Sequence, residues 1–209
     1  MEGVSSCSYC YKRGATKKCG KCNSRRICST SCQKADWAIH KHWCGIAGEC
    51  GVDVVIKPTT DGKGFGMFAT RAFKKDEFLM VERSLVRYPN LDTEKFGKNF
   101  DFGIPESAKE EFATLKPSDA STLEKLQYNG LVYEDKQGAF GGLCLRSARI
   151  NHSCLPNCEI HFRPTPQLVV VVACRNIEKG EELFRSYIGN DVLTMDAESR
   201  KEVSRRSYM

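Results

Sequence analysis

The sequence predicts an α+β protein, a β-rich body preceded by a small cysteine-rich module, and three observations predict it. Seven of the twelve cysteines lie before residue 45, in a stretch poor in aliphatic side chains. From Val52 onward, "VDVVIK", "EFLMVERSLV", "GLVYE" and "QLVVVVACR" are short apolar runs bounded by Gly, Pro, Asn or Asp, the pattern of strands and turns. Between them, "PESAKEEFATLKPSDASTLEKLQYNG" sets Phe112, Leu115, Leu123 and Leu126 at helical spacing.

A chain of 209 residues, 41% hydrophobic and 28% charged, can bury one substantial core and carry an appended module. The boundary falls in the Gly-rich "GIAGECG", Gly45 to Gly51. Of the net charge of +6, the first 48 residues hold nine Lys/Arg against Glu2 and Asp36, and the remainder is close to neutral. A basic module on a neutral body suits an acidic partner, nucleic acid among them, or simply a solvated face. "MEGVSSCSYC" has neither the basic start nor the apolar run of a secretory signal, and the longest apolar stretch, "LVVVVAC" at 168–174, is far short of a bilayer span. These features predict no membrane association and a reducing location, nucleus and/or cytoplasm, where twelve cysteines point to metal rather than disulfides. No internal repeat or low-complexity tract is present, and the polar tail "DAESRKEVSRRSYM" reads as helical or frayed.

The module's donors come in four short-spaced pairs: Cys7-x2-Cys10, Cys19-x2-Cys22, Cys28-x3-Cys32 and His40-x3-Cys44. Zinc takes four N/S donors in a tetrahedron, so eight donors predict two closed structural Zn2+ sites. A module of this size cannot hold itself together by burial alone, and metal supplies what is missing. On the helix expected over "CQKADWAIHKHWC", residues four apart share a face, which pairs His40 with Cys44 and leaves His42 to solvent. These eight residues, in this order, resemble the MYND zinc finger over nearly all of residues 7–44. The resemblance implies interleaved ligand sets, Cys7, Cys10, Cys28 and Cys32 on one metal and Cys19, Cys22, His40 and Cys44 on the other. It also implies a protein-interaction role, often with proline-containing peptides; closed sites leave no open position for catalysis.

"RINHSCLPNC", Arg149 to Cys158, sets an Asn-His pair against Ser-Cys. A Cys154 nucleophile with His152 as its base is disfavoured, because side chains two apart rarely face each other in regular backbone. A buried turn with satisfied polar groups is the plain alternative. With "GKGFGMFA" upstream and "IEKGEELFRSY" downstream, however, the segment resembles the central motif of the SET-domain methyltransferases, flanked by their first cofactor motif and their terminal motif with its tyrosine. The likeness covers roughly Val54 to Gly189, and with the finger it points to the SET-and-MYND group of protein-lysine methyltransferases.

That resemblance implies an S-adenosylmethionine-dependent protein-lysine N-methyltransferase acting on histone or other proteins, with the finger as interaction module. Lys63, Gly64, Phe65, Gly66, Asn129, Asn151, His152 and Tyr187 would contact the cofactor, and Tyr187 would be the catalytic tyrosine. The implied fold is a set of small curved sheets with a knot-like core. Its parts would be a finger at 1–48, a SET domain at 54–190 with a helical insert about 92–127, and an incomplete post-SET tail at 191–209.

The chain also departs from the family pattern. It stops near where a Cys-x-Cys-x2-Cys cluster would begin, so Cys154 has no downstream metal partners, and the finger precedes the first cofactor motif instead of following it. An inactive adaptor that recruits partners through the finger is therefore the alternative function, with DNA binding through the basic module a third. Cys50, Cys144, Cys158 and Cys174 read as ordinary thiols.

Overall fold

The computed structural model describes residues 6–60, 62, 64–89, 103–135, 138–163, 167–188, 196 and 198–199. The expected start of the insert at 92, Lys63 and nearly all of the tail lie outside the described residues.

In the finger, β1 (Lys17–Lys18) pairs antiparallel with β2 (Arg26–Ile27), and α1 (Thr30–His40) follows. Ser29 caps α1, its hydroxyl accepting from the Cys32 N–H at 3.1 Å. The helix ends at His40, so Cys44 is reached through a tight turn, Trp43 N–H to His40 C=O at 2.9 Å, and not along a continuous helical face as expected. The turn brings the four-residue spacing to the same result by another path. His42 is exposed, as the spacing implied.

The body is built of short sheets. β3 (Val54–Pro58) pairs with β4 (Phe65–Ala69); β5 (Phe78–Arg83) is the edge of the sheet β10-β11-β5, formed with β10 (Cys158–Arg163) and β11 (Leu168–Ala173). β6 (Val86–Pro89), β7 (Leu131–Asp135) and β8 (Gly138–Leu143) form a third sheet, in the order β6-β8-β7. The last pair is β9 (Asn151–His152) with β12 (Phe184–Arg185), and it is parallel, with Phe184 opposite Asn151 and Arg185 opposite His152. This is where the Asn-His segment and the terminal motif run side by side.

The helical stretch is two short helices, α2 (Glu106–Ala113) and α3 (Thr122–Asn129). Pro117 cannot continue a helix, and Ser121 starts the next with a full capping box to Glu124.

β11 explains its own unbroken apolar run. Val169, Val171 and Ala173 enter the main core with Met67, Leu79, Ile150 and Leu183, while Leu168 and Val170 face the finger's Ile39 and Trp43 and the following Ala47. A strand buried on both faces has no polar alternation to show. The finger is thus packed against the body: Trp43 meets Phe78 edge-on at 5.4 Å, and Tyr11 joins the cluster formed by Val86, Phe112, Leu115 and Leu143.

A buried polar seam completes the contact. Arg25, 6% exposed, is bidentate to Asp36 and reaches Glu49 at 2.9 Å. Glu82 on β5, 2% exposed, accepts four hydrogen bonds, from the Tyr11 hydroxyl (2.8 Å), the backbone N–H of Arg146 (2.9 Å) and of Ser147 (2.8 Å), and the Ser147 hydroxyl (2.7 Å). Arg146 itself donates to the Cys7 carbonyl at 3.2 Å. Part of the finger's basic surplus is therefore answered inside this chain, since Arg25 is matched by Asp36 and Glu49 and Arg13 by Glu110 at 2.7 Å. No helix among the described residues is long and apolar enough to cross a membrane.

Candidate active site and metal-ligand clusters

The finger gathers its eight donors into two groups, Cys7, Cys10, Cys28 and Cys32, and Cys19, Cys22, His40 and Cys44, with the ligand atoms of each group within 4.8 Å of one another. Neighbouring sulfurs are 3.6 Å apart at Cys10–Cys28 and Cys28–Cys32 and 3.8 Å at Cys19–Cys44; Cys22 Sγ lies 3.5 Å from His40 Nε2. Zinc–sulfur bonds of about 2.3 Å in a tetrahedron put sulfurs about 3.8 Å apart, and a sulfur and an imidazole nitrogen slightly closer. Both groups fit zinc.

The second site begins at the first glycine motif. Gly64 has φ +93°, a conformation that disfavours any side chain, and Phe65 is 42% exposed. At Gly66 protein neighbours leave no room for a side chain. A Cβ there would run into the Glu182 carboxylate and come within 2.9 Å of Thr59 Cγ2. Glu182 needs that space because its Oε1 accepts from Asn151 Nδ2 at 2.8 Å, and the same amide donates to the Phe65 carbonyl at 3.2 Å. Asn151 therefore clips the first motif to the terminal one. Gly66→Ala is expected to push Glu182 off Asn151 and cost about 1–3 kcal/mol. In thermal unfolding the double variant with Glu182→Ala should lose less than the sum of the two singles, and strict additivity would refute the coupling.

His152 and Tyr187 are locked across the parallel pair. The Tyr187 N–H donates to His152 Nδ1 at 3.0 Å, the two rings lie 5.4 Å apart, and the Tyr187 hydroxyl donates to the Ile150 carbonyl at 2.8 Å. Burial pushes the phenol above its ordinary range, and the Arg185 guanidinium, 4.1 Å from the Tyr187 ring centre, opposes that shift. One sequence expectation is corrected here. Cys154 Sγ does reach His152 Nε2, at 3.4 Å, because the chain bends sharply after β9 and leaves regular backbone geometry. The ring's other nitrogen already accepts from Tyr187, so the imidazole braces two segments.

Asn129 stands apart from this cluster. Its amide donates to the carbonyls of Lys116 (2.6 Å) and Lys125 (2.8 Å), closing the end of α3, and Lys116 Cε lies 3.6 Å from the Cβ position of Gly64. Lys63 is outside the described residues. Sequence reasoning missed Glu182, Arg185 and Asn157. Asn157, fully buried, donates to the Glu182 carbonyl at 2.8 Å and accepts from the Phe184 N–H at 2.7 Å, holding the terminal motif in register. The "LPN" of the central motif carried the only signal for it.

Beside Tyr187 opens a cavity of about 660 Å³, walled by the end of α3, β7, β10 and the segment Arg185–Ile188. It lies between two strands that are edges of their sheets, β7 and β10.

Comparison with known proteins matches the SET domain over residues 64–188 and the MYND finger over residues 7–44. The chain belongs to the SET-and-MYND family. Similar relatives of this SET-and-MYND chain include N-lysine methyltransferase SMYD2 of Homo sapiens, 28% identical over 229 residues, covering 97% of the chain and 48% of the relative. SMYD2-B of Xenopus laevis is 27% identical over 213 residues (97% and 48%), and SMYD2-A of Danio rerio is 29% identical over 222 residues (99% and 48%). The chain spans about half the length of the curated relatives it matches. Its likeness to the solved Neurospora SET domain protein DIM-5, a histone lysine methyltransferase, is slight, with TM-score 0.42 and 17% identity over 66% of this chain and 52% of that one.

Proposed function

We propose that this chain transfers a methyl group from S-adenosylmethionine to a lysine side chain of a protein, histone or other, and that its finger holds two structural zinc ions and serves protein recognition. Supporting this reading is one observation above the rest: Asn151, His152 and Tyr187 are bonded directly to one another's strands and, through Phe65, to the glycine motif. The edge formed by Gly64, the exposed face of Phe65 and the half-buried Asn151 and His152 offers open backbone and a ring to a nucleoside. Asn129 would assist through Lys116, and Lys63 belongs to the reading on resemblance alone.

Bound here, S-adenosylmethionine would supply a methyl already activated by its sulfonium toward a neutral amine. The chain has to align the acceptor more than attack anything. Tyr187, fixed by Ile150 and His152, forms one wall of the acceptor cavity and orients the amine. An unperturbed lysine has a pKa near 10.4 and must first lose its proton to water. Proline-containing peptides on the finger, a weaker basic contact with nucleic acid, and work in the nucleus or cytoplasm complete the proposal.

Methyl incorporation into mixed histones and cell lysate tests it. Tyr187→Phe should lower the rate roughly 10²-fold while the purified chain still retains S-adenosylmethionine. Wild type no faster than this variant would reject catalysis and favour the adaptor.

A further inference from the structure

We propose that the Arg185 guanidinium, stacked on Tyr187 at the wall of the 660 Å³ cavity, is the cation that holds an incoming lysine in its neutral, methylatable form. The inference rests on the methyl-transfer reading above and adds a residue to it.

The placement sets this arginine against the proposed reacting group. It is on β12, half-buried, one strand from His152 and two residues before the catalytic tyrosine, with its charge 4.1 Å from the centre of that ring. Its field also extends across the cavity wall. Burial raises the Tyr187, Tyr133, Cys158 and Cys144 groups, and at each of them the Arg185 guanidinium pulls the other way. A fixed positive charge that favours the ionised phenol or thiol favours, by the same sign, the neutral form of an amine.

Among the described residues, the other ionisable groups around this space come from four elements. His152 on β9 is turned toward the Tyr187 ring and is held by the Tyr187 N–H and Cys154. From β10 come Cys158, Glu159 and His161; from β7, Tyr133; from the end of α3, Tyr128. Glu159 opposes Arg185 in sign, but its side chain is 59% exposed and 3.6 Å from His161, so solvent screens it. Glu82 acts on Tyr133 and Cys144 from behind the wall, where its oxygens are saturated by four donors. Among the described residues that line the cavity, Arg185 is the one arginine or lysine.

Only the deprotonated amine has the lone pair that methyl transfer uses, so the rate rises with pH through the acceptor's pKa. A neighbouring cation moves that limb to lower pH, and removing it must move the limb up. The experiment is the pH dependence of single-turnover methyl transfer to purified core histones by wild type, Arg185→Met, Arg185→Gln and Arg185→Lys. Both neutral variants should be slower at neutral pH, shift the rising limb up by about one pH unit or more, and regain the wild-type rate in alkali. Arg185→Lys should keep the wild-type limb.

A merely structural role would leave the neutral variants slow at every pH, and that result overturns the proposal, as does an unchanged limb. Should one neutral variant fail to fold, the other carries the comparison. Wild type inactive at every pH on histones and on cell-lysate protein alike would instead overturn the methyl-transfer reading, and this proposal with it.

Discussion

Glu82→Gln should destabilise the protein by roughly 3 kcal/mol or more, out of proportion to a change of one atom. The carboxylate presents Oε1 to the Tyr11 hydroxyl and the Arg146 N–H, and Oε2 to the Ser147 N–H and hydroxyl. An amide keeps one acceptor oxygen and turns an NH2 group onto the remaining donors, and each buried donor left unmatched costs about 1–3 kcal/mol. Tyr11→Phe, which removes one donor and leaves the carboxylate three, should cost about 1 kcal/mol. Denaturant unfolding decides between them, and equal losses would show that Glu82 is not the keystone of the seam. The effect should extend to function. Ser147 opens the turn Ser147–Arg149 that leads straight into Ile150, the acceptor of the Tyr187 hydroxyl, and into Asn151 and His152. Cofactor retention should weaken in Glu82→Gln even under conditions where the chain stays folded.

Stripping the metal should have the larger effect still. Structural zinc contributes on the order of 10–16 kcal/mol per site in small finger peptides at neutral pH, so a chelator strong enough to compete is expected to unfold the finger. Unfolding it would uncover the Ile39, Trp43 and Ala47 contacts on Val81, Leu168 and Val170, leave Arg25 and Glu49 without their arrangement, and free Tyr11 from Glu82. The readouts are two zinc equivalents released per chain, a rise in binding of a hydrophobic dye, and a lower melting temperature of the body. A body that melts unchanged after complete metal loss would contradict the packing described above.

Much of the protein was legible residue by residue. Metal-donor spacing is local chemistry: a tetrahedron filled from tight turns demands short-spaced pairs, so the cysteines and His40 could be read from the chain, although their division between two clusters came from resemblance and is seen only in space. Strands with clear apolar runs, β3, β5, β7 and β11, were likewise visible. β8, "GAFGGL", was not, because its glycines answer a distant partner. A Cβ at Gly141 would strike the ring of Tyr88 on β6, so the strand gives up side chains to let that ring cross it. β10 was missed as well, since its alternating "CEIHFR" sets Cys158, Ile160 and Phe162 against the core and leaves Glu159, His161 and Arg163 exposed, with no unbroken apolar run.

What the sequence by itself determined was the list of chemical parts: eight soft donors, three ordered motifs and a terminal tyrosine. Only the tertiary structure decided which of those parts meet. Asn151 reaches Phe65 across 86 positions and His152 takes a hydrogen bond from Tyr187 35 positions on, while Asn129 bonds to Lys125 of its own helix and to Lys116 before it. Side-chain partners at such separations are set by how strands pair and cross, and strand pairing depends on the burial of whole faces, which no single segment encodes.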